Sequence, residues 1–121
     1  MSAKKVTWMA RRVDAASLPA ERAMAVALGM SVLQDDPAKL VLTTSEGDLI
    51  EYLTPETAEP RYLFDVQDTV IGYLVDDLDV TLQQLADAGV TPVGEPGEGG
   101  GVRFRHVRGP GGVVYGLIQR V

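Results

Sequence analysis

Two stretches of this chain carry the same signals in the same order. In the first half an extended apolar run ends at Val13-Asp14. A helical pattern follows, then Ala27-Leu28-Gly29-Met30, then a strand-like run. The second half replays this with Val75-Asp76, a helical pattern, Asp87-Ala88-Gly89-Val90 and another strand-like run. Further on, the segment Gly47 to Leu53 lies over Gly112 to Ile118, so the offset stays between 60 and 65 residues throughout. A repeat that drifts so little predicts two copies of one supersecondary unit with small loop insertions. Two such units side by side create a groove, and function is expected there.

The chain has 121 residues, 45% of them hydrophobic, which suits one domain built from two half-domains. A chain of this size buries roughly two-thirds of its unfolded surface, so a core forms without covalent staples. There is no cysteine, which excludes disulfides, thiolate metal sites and a cysteine nucleophile. The run Val6 to Ala10 is interrupted by Arg11 and Arg12, and nothing approaches ~18 consecutive apolar residues. A soluble cytoplasmic protein is expected. The net charge of −6 disfavours nucleic acid and anionic membrane as partners and leaves a neutral or cationic small molecule.

Each half reads as β-α-β-β-β. Val6 to Val13 is the first strand, and Ser17-Leu18-Pro19 starts a helix with proline inside the first turn. Ala20, Ala23, Met24, Ala27 and Leu28 recur at helical spacing as its apolar stripe, with Glu21 and Arg22 on the opposite side. Gly29 stops the helix. A hairpin turned by Asp35-Asp36-Pro37 joins Met30–Gln34 to Lys39–Thr43, and a further strand begins at Gly47-Asp48. Thr54 to Gln67 has no clear period and reads as a linker. Thr69 to Val75 is the fifth strand, and Asp77 is the N-cap of a second helix whose stripe is Leu78, Leu82, Leu85 and Ala86. Thr91–Gly94, Val102–Val107 and Val113–Gln119 complete the set, with the glycine-rich stretch Gly94 to Gly101 as a hairpin loop over the groove.

This order, together with Ala27-Leu28-Gly29-Met30, Val75-Asp76-Asp77-Leu78, Ala88-Gly89-Val90 and Arg108-Gly109-Pro110-Gly111-Gly112, resembles the vicinal oxygen chelate superfamily. That group holds glyoxalase I, extradiol dioxygenases, fosfomycin-resistance enzymes and bleomycin-resistance binding proteins. The resemblance covers the whole chain. It implies an α+β fold of two tandem βαβββ modules forming a curved mixed sheet, with a concave groove and helices on the outer face. As one domain, module 1 would span about residues 1–54, the linker about 55–67 and module 2 about 68–121. The family's metal ligands map onto Trp8, Glu51, Val70 and Gly116, so three of four donors are missing. A divalent ion needs several converging N or O ligands, and no metal or other cofactor is expected here.

In the family's register, period-2 alternation turns Trp8, Ala10, Arg12, Leu49, Glu51 and Leu53 into the groove from module 1. From module 2 come Val70, Gly72, Leu74, Val114, Gly116 and Ile118, with Phe104 and His106 turned inward. The expected site is apolar and aromatic, with Trp8 and Phe104 as stacking surfaces and Arg12, Glu51 and His106 as polar handles. Each handle also has a plainer reading: Glu51 paired with Arg12, His106 structural, Trp8 a core residue filling the place of a metal. Tyr52, Tyr73 and Tyr115 share the opposite parity and read as core under the helices. Tyr62 and Phe64 in the linker either cap a partner's pocket or fold back onto their own sheet.

The first function this implies is a non-catalytic binding protein of the bleomycin-resistance type. It would hold an apolar or aromatic natural product for sequestration, resistance or carriage. The alternative is a metal-independent lyase or isomerase using Glu51 or His106 for proton transfer. A metal-dependent glyoxalase or dioxygenase comes third. A homodimer is implied by the resemblance alone.

Overall fold

The computed structural model describes residues 3–58 and 60–121. The fold is α+β, with eight strands and two helices in the order expected from the repeat: β1 (Ala3–Arg12), α1 (Leu18–Ala27), β2 (Ser31–Asp36), β3 (Lys39–Thr43), β4 (Leu49–Leu53), β5 (Thr69–Val75), α2 (Leu78–Asp87), β6 (Thr91–Gly99), β7 (Val102–Arg108) and β8 (Val114–Arg120). Two compact units emerge: Trp8–Thr69, and Val70–Val121 with the first part of β1.

Within the Trp8–Thr69 unit the strand order is β2-β3-β4-β1. β1 and β4 run parallel, while β2, β3 and β4 form an antiparallel meander. Leu18 and Ala25 of α1 pack on Leu40, Leu42 and Tyr52, with Val32 and Ile50 at the margin. Within the other unit the order is β5-β8-β7-β6, again with one parallel pair (β5 and β8) and two antiparallel ones. There Leu78 of α2 packs on Val75, Val107 and Leu117, flanked by Leu82 and Leu85. Each buried aliphatic side chain is worth about 1.5–3 kcal/mol, so one helix per unit suffices to hold its sheet.

The helix ends show the duplication at the level of single hydrogen bonds. Gly29 and Gly89 adopt φ of +82° and +83°, the left-handed region where a side chain would be strained. The amides beyond them, of Met30 and Val90, donate to Ala25 O at 3.0 Å and Leu85 O at 2.9 Å. This is the same Schellman closure used twice.

Four expectations change. The apolar stripe assigned to α1 faces away from the sheet: Ala20, Ala23, Met24, Ala27 and Leu28 are all exposed, and the inward side is Leu18, Glu21 and Ala25. Glu21 turns inward because the phenol of Tyr52 hydrogen-bonds it. Burial, then the Glu21 charge, raises the Tyr52 pKa above its ordinary value. The β2–β3 turn sits at Pro37-Ala38, because Asp35 and Asp36 still pair with Leu40 and Lys39. The glycine-rich stretch is not a loop: β6 continues to Gly99 across an irregularity between Val93 and Gly97. Gly100 and Gly101, at φ of +60° and +80°, make a two-residue turn into β7. The linker also carries structure, a single 3-10 turn at Arg61–Phe64 that buries Leu63 and Phe64.

Candidate ligand-binding site

Strand register decides which side chains share a face, since residues paired across a ladder point the same way. In the Trp8–Thr69 unit, Trp8 pairs with Leu49, Ala10 with Glu51 and Arg12 with Leu53. The six residues expected on one face are therefore on one face. It is the face away from α1, because Leu40, Leu42 and Tyr52 point to the helix. β3 adds Lys39, Val41 and Thr43, opposite Leu53, Glu51 and Leu49. Glu51 thus rises between two buried neighbours, Ala10 (0% exposed) and Val41 (8%), and is itself half-buried, as is Trp8.

Arg12 does not pair with Glu51. Its Nη2 donates to Asp68 Oδ1 at 2.7 Å, Nη1 reaches Phe64 O at 3.5 Å, and the guanidinium lies 5.9 Å from the Phe64 ring centroid. The backbone is tied as well, with Arg12 N donating to Asp68 O at 2.8 Å. Arg12 is therefore a clasp for residues 61–68 and not a free polar handle. It lies against Phe64, which is buried within its own chain. Nothing in the sequence flagged Asp68, which precedes β5 in an irregular stretch.

In the Val70–Val121 unit, Gly72 pairs with Gly116, Gly116 with His106, and His106 with Val93. One row across β5, β8, β7 and β6 therefore reads Gly72, Gly116, His106, Val93. Two of its four positions carry no side chain. The neighbouring rows place Leu74, Ile118, Phe104 and Gly97 in line, and Val114 beside Arg108. Val70, two residues before Gly72, shares this face and is fully buried, as is Val114. It is again the face away from the helix, since Val75, Val107 and Leu117 face α2. Arg103 and Arg105 lie on that helix side, where Arg103 meets Asp79 and Glu98 at 3.5 and 3.8 Å.

Phe104 and His106 stand on alternate residues of β7, ring centroids 5.8 Å apart at 63°, an edge-to-face contact. The Phe104 ring also covers Gly97 on β6. A Cβ built at Gly97 would meet its Cζ at 2.1 Å, so the glycine is what lets the ring lie flat there. That pairing was not legible without the register. His106 is 6% exposed, and burial pushes its imidazole down to about 4. At neutral pH it is uncharged, with one ring nitrogen a donor and the other an acceptor. A cavity lined by Tyr73, Val75, Thr81, Gln84, Leu85 and Leu117 among others lies on the α2 side and involves none of the expected site residues.

Solved structures match this architecture over nearly the whole chain. Methylmalonyl-CoA epimerase from Mycobacterium tuberculosis superposes with a TM-score of 0.67 at 19% identity, covering 98% of this chain and 89% of that one. A variant of Streptomyces coelicolor methylmalonyl-CoA epimerase in complex with 2-nitronate-propionyl-CoA gives 0.65 at 20%, with 99% of each chain covered. A glyoxalase/bleomycin resistance protein/dioxygenase superfamily member from Vibrio splendidus 12B01 gives 0.58 at 15%, with 92% and 95% covered. The chain has the vicinal oxygen chelate fold. No protein-family profile and no curated protein matches its sequence.

The four ligand positions expected from the resemblance are Trp8 and Glu51 in one unit and Val70 and Gly116 in the other. Only Glu51 brings a donor. His106 stands directly across from Gly116, one strand over, and is the nearest replacement the register offers. Among the described residues no group of three or more His, Asp or Glu is gathered as a metal site requires. This donor set does not fit a tightly held divalent ion.

Proposed function

We propose that this chain binds a small, largely apolar or aromatic molecule without transforming it. The ligand would lie against the face that carries Phe104, His106, Gly116 and Gly72. The observation that carries the reading is the buried, uncharged His106 set edge-on to Phe104, beside two strand positions with no side chain. An apolar surface with one directional polar group is what small-molecule sites usually combine. An imidazole held at about 4 is also a weak proton acceptor at neutral pH, so His106 suits hydrogen bonding better than base catalysis. The proposal includes a cytoplasmic location and a homodimer. No described helix is long and apolar enough to cross a membrane.

The test is titration with a panel of planar aromatic natural products, followed by calorimetry and by the fluorescence of Trp8, the single tryptophan. Phe104→Ala and His106→Phe should each weaken a saturating ligand by about tenfold, or about 1.4 kcal/mol. A ligand whose affinity ignores both substitutions would place binding elsewhere and sink the assignment.

The likeness to two methylmalonyl-CoA epimerases supports a second reading, an isomerase or lyase in which Glu51 moves a proton; its working without a metal rests on the donor set and not on that likeness. The net charge of −6 stands against a phosphate-bearing CoA ester as its substrate. Deuterium exchange from D2O into the acidic C–H of methylmalonyl-CoA, persisting in chelator and lost in Glu51→Gln, would favour this reading over binding alone. No exchange into that thioester or into simpler α-substituted acids would remove it.

A further inference from the structure

The two helices lie over their sheets with different residues at matching positions. The repeat offset is 60 at the helices and 65 at the last strand of each half, so Thr81 corresponds to Glu21 and Leu117 to Tyr52. In the Trp8–Thr69 unit that pair meets under α1 in a hydrogen bond between phenol and carboxylate. In the Val70–Val121 unit both side chains are shorter, and a cavity of about 270 Å³ is lined by the two of them. Its sheet wall is Tyr73 and Val75, alternate residues of β5, with Leu117 paired to Tyr73 across the ladder. Its helix wall is Thr81, Gln84 and Leu85, which share one flank of α2 at i, i+3 and i+4. Ala3, at the start of β1, borders it with a side chain too short to reach in.

We propose that this cavity is a second small-molecule site, taking a neutral ring compound that carries one hydroxyl group. Val75, Leu85 and Leu117 supply apolar surface for the ring, and Val75 and Leu117 are already buried. The polar side chains supply the direction. Thr81 Oγ1 donates to Asp77 O at 2.7 Å, so toward the cavity it offers only lone pairs. The Tyr73 phenol and the Gln84 amide make no hydrogen bond among the described residues, and each is both donor and acceptor. The Tyr73 ring is backed by Tyr115, with centroids 6.1 Å apart. No charged side chain lines the cavity, so an ion would be desolvated without a partner, and the occupant is uncharged. The volume falls just below the ~300–1,000 Å³ of drug-sized sites, which suits a one- or two-ring molecule and weak affinity. Val75 and Leu117 face α2, whereas Phe104 and His106 stand on the opposite face of the same sheet. The site is therefore separate from the surface assigned to the ligand above and stands independently of that reading.

Titration of the full chain with p-cresol and with toluene, which differ by one hydroxyl group, tests it by NMR. The expected result is a saturable shift of the Val75, Leu85 and Leu117 methyl signals, with p-cresol the tighter binder and the His106 imidazole signals unmoved. Thr81→Leu narrows the cavity and should weaken p-cresol at least about tenfold. Thr81→Glu combined with Leu117→Tyr, which copies the pair under α1, should do the same. Tyr73→Phe keeps the shape of the wall and should weaken p-cresol about fivefold while leaving toluene unchanged. The absence of a saturable shift with either probe overturns the proposal. So does full affinity in a folded Thr81→Leu variant, or an equal loss of both probes in Tyr73→Phe. Shifts confined to Phe104 and His106 overturn it too, while supporting the site on the other face.

Discussion

The two helices of the repeat occupy equivalent places and solve the same problem with different residues. α2 docks through Leu78, Leu82 and Leu85, is capped by Asp77, whose carboxylate accepts from Val80 N at 3.1 Å, and receives Gln119 Oε1 on its Leu78 amide at 2.7 Å. α1 docks through Leu18 and Ala25 with a hydrogen bond between Glu21 and Tyr52, and Ser17 makes no side-chain cap. One helix is fastened by apolar contact and capping, the other by two small contacts and one polar link. Duplication preserved the backbone path, down to matching Schellman bonds, and left the fastening free to diverge. The faces turned away from the helices diverged too. One unit holds Glu51 among Ala10 and Val41, the other an uncharged histidine among glycines.

The largest expected difference between the halves is in their response to acid. The folded-state pKa of His106 is about 4 against an ordinary 6.5, so between those values the unfolded chain binds a proton that the folded chain does not. Stability is therefore fully present above pH 6.5 and is lost as pH falls toward 4, by roughly 2–3 kcal/mol after allowing for partial solvent screening. Chemical denaturation at pH 7 and at pH 4.5 should show this loss, and His106→Phe should remove most of the difference. An equal loss in His106→Phe would assign the acid sensitivity to carboxylates instead.

A smaller effect separates two glycines on one strand. At Gly97 an added Cβ runs into the Phe104 ring, whereas at Gly99 nothing lies within 4 Å. Gly97→Ala should cost about 1–3 kcal/mol because the ring must move. Gly99→Ala should be neutral or stabilising by up to about 1 kcal/mol through the unfolded chain. Thermal melts of the two variants side by side check this. If both behave alike, the Phe104 ring is not seated on Gly97, and the surface offered to a ligand beside His106 has a different shape.

Much of this was legible from residues alone, and the exceptions have physical reasons. The repeat order, the glycine stops at 29 and 89, the Asp77 cap and the leucine stripe of α2 follow from local rules that tertiary contacts had no cause to override. Period-2 parity placed Trp8, Glu51, Phe104 and His106 on their faces, because register leaves two choices and the tyrosines took the other. The α1 stripe was misjudged because periodicity finds an apolar face without saying what it meets. A half-apolar helix with a useful carboxylate can turn that carboxylate inward when a tyrosine waits for it. Arg12 was misjudged because its partners, Asp68 and the Phe64 carbonyl, lie more than 50 residues away in a stretch without periodicity. β6 was cut short at Gly94 because glycine and proline read as loop, although a bulge absorbs them and pairing resumes at Gly97.

The smallest prediction bears on the helices themselves. Asp77 satisfies one of the four amides that an α-helix leaves open at its start, and Asp77→Ala should cost about 1 kcal/mol. Ser17 occupies the matching place on α1, but its backbone is already helical (φ −83°, ψ −19°) and its hydroxyl caps nothing, since a 3-10 turn at Ala15–Ser17 leads the chain in. Ser17→Ala should then change stability by a few tenths of a kcal/mol at most. Urea titrations of the two alanine variants resolve a difference of this size. Equal costs would mean that α1 begins with a side-chain cap after all. The asymmetry would then be confined to how the two helices are fastened to their sheets, not how they start.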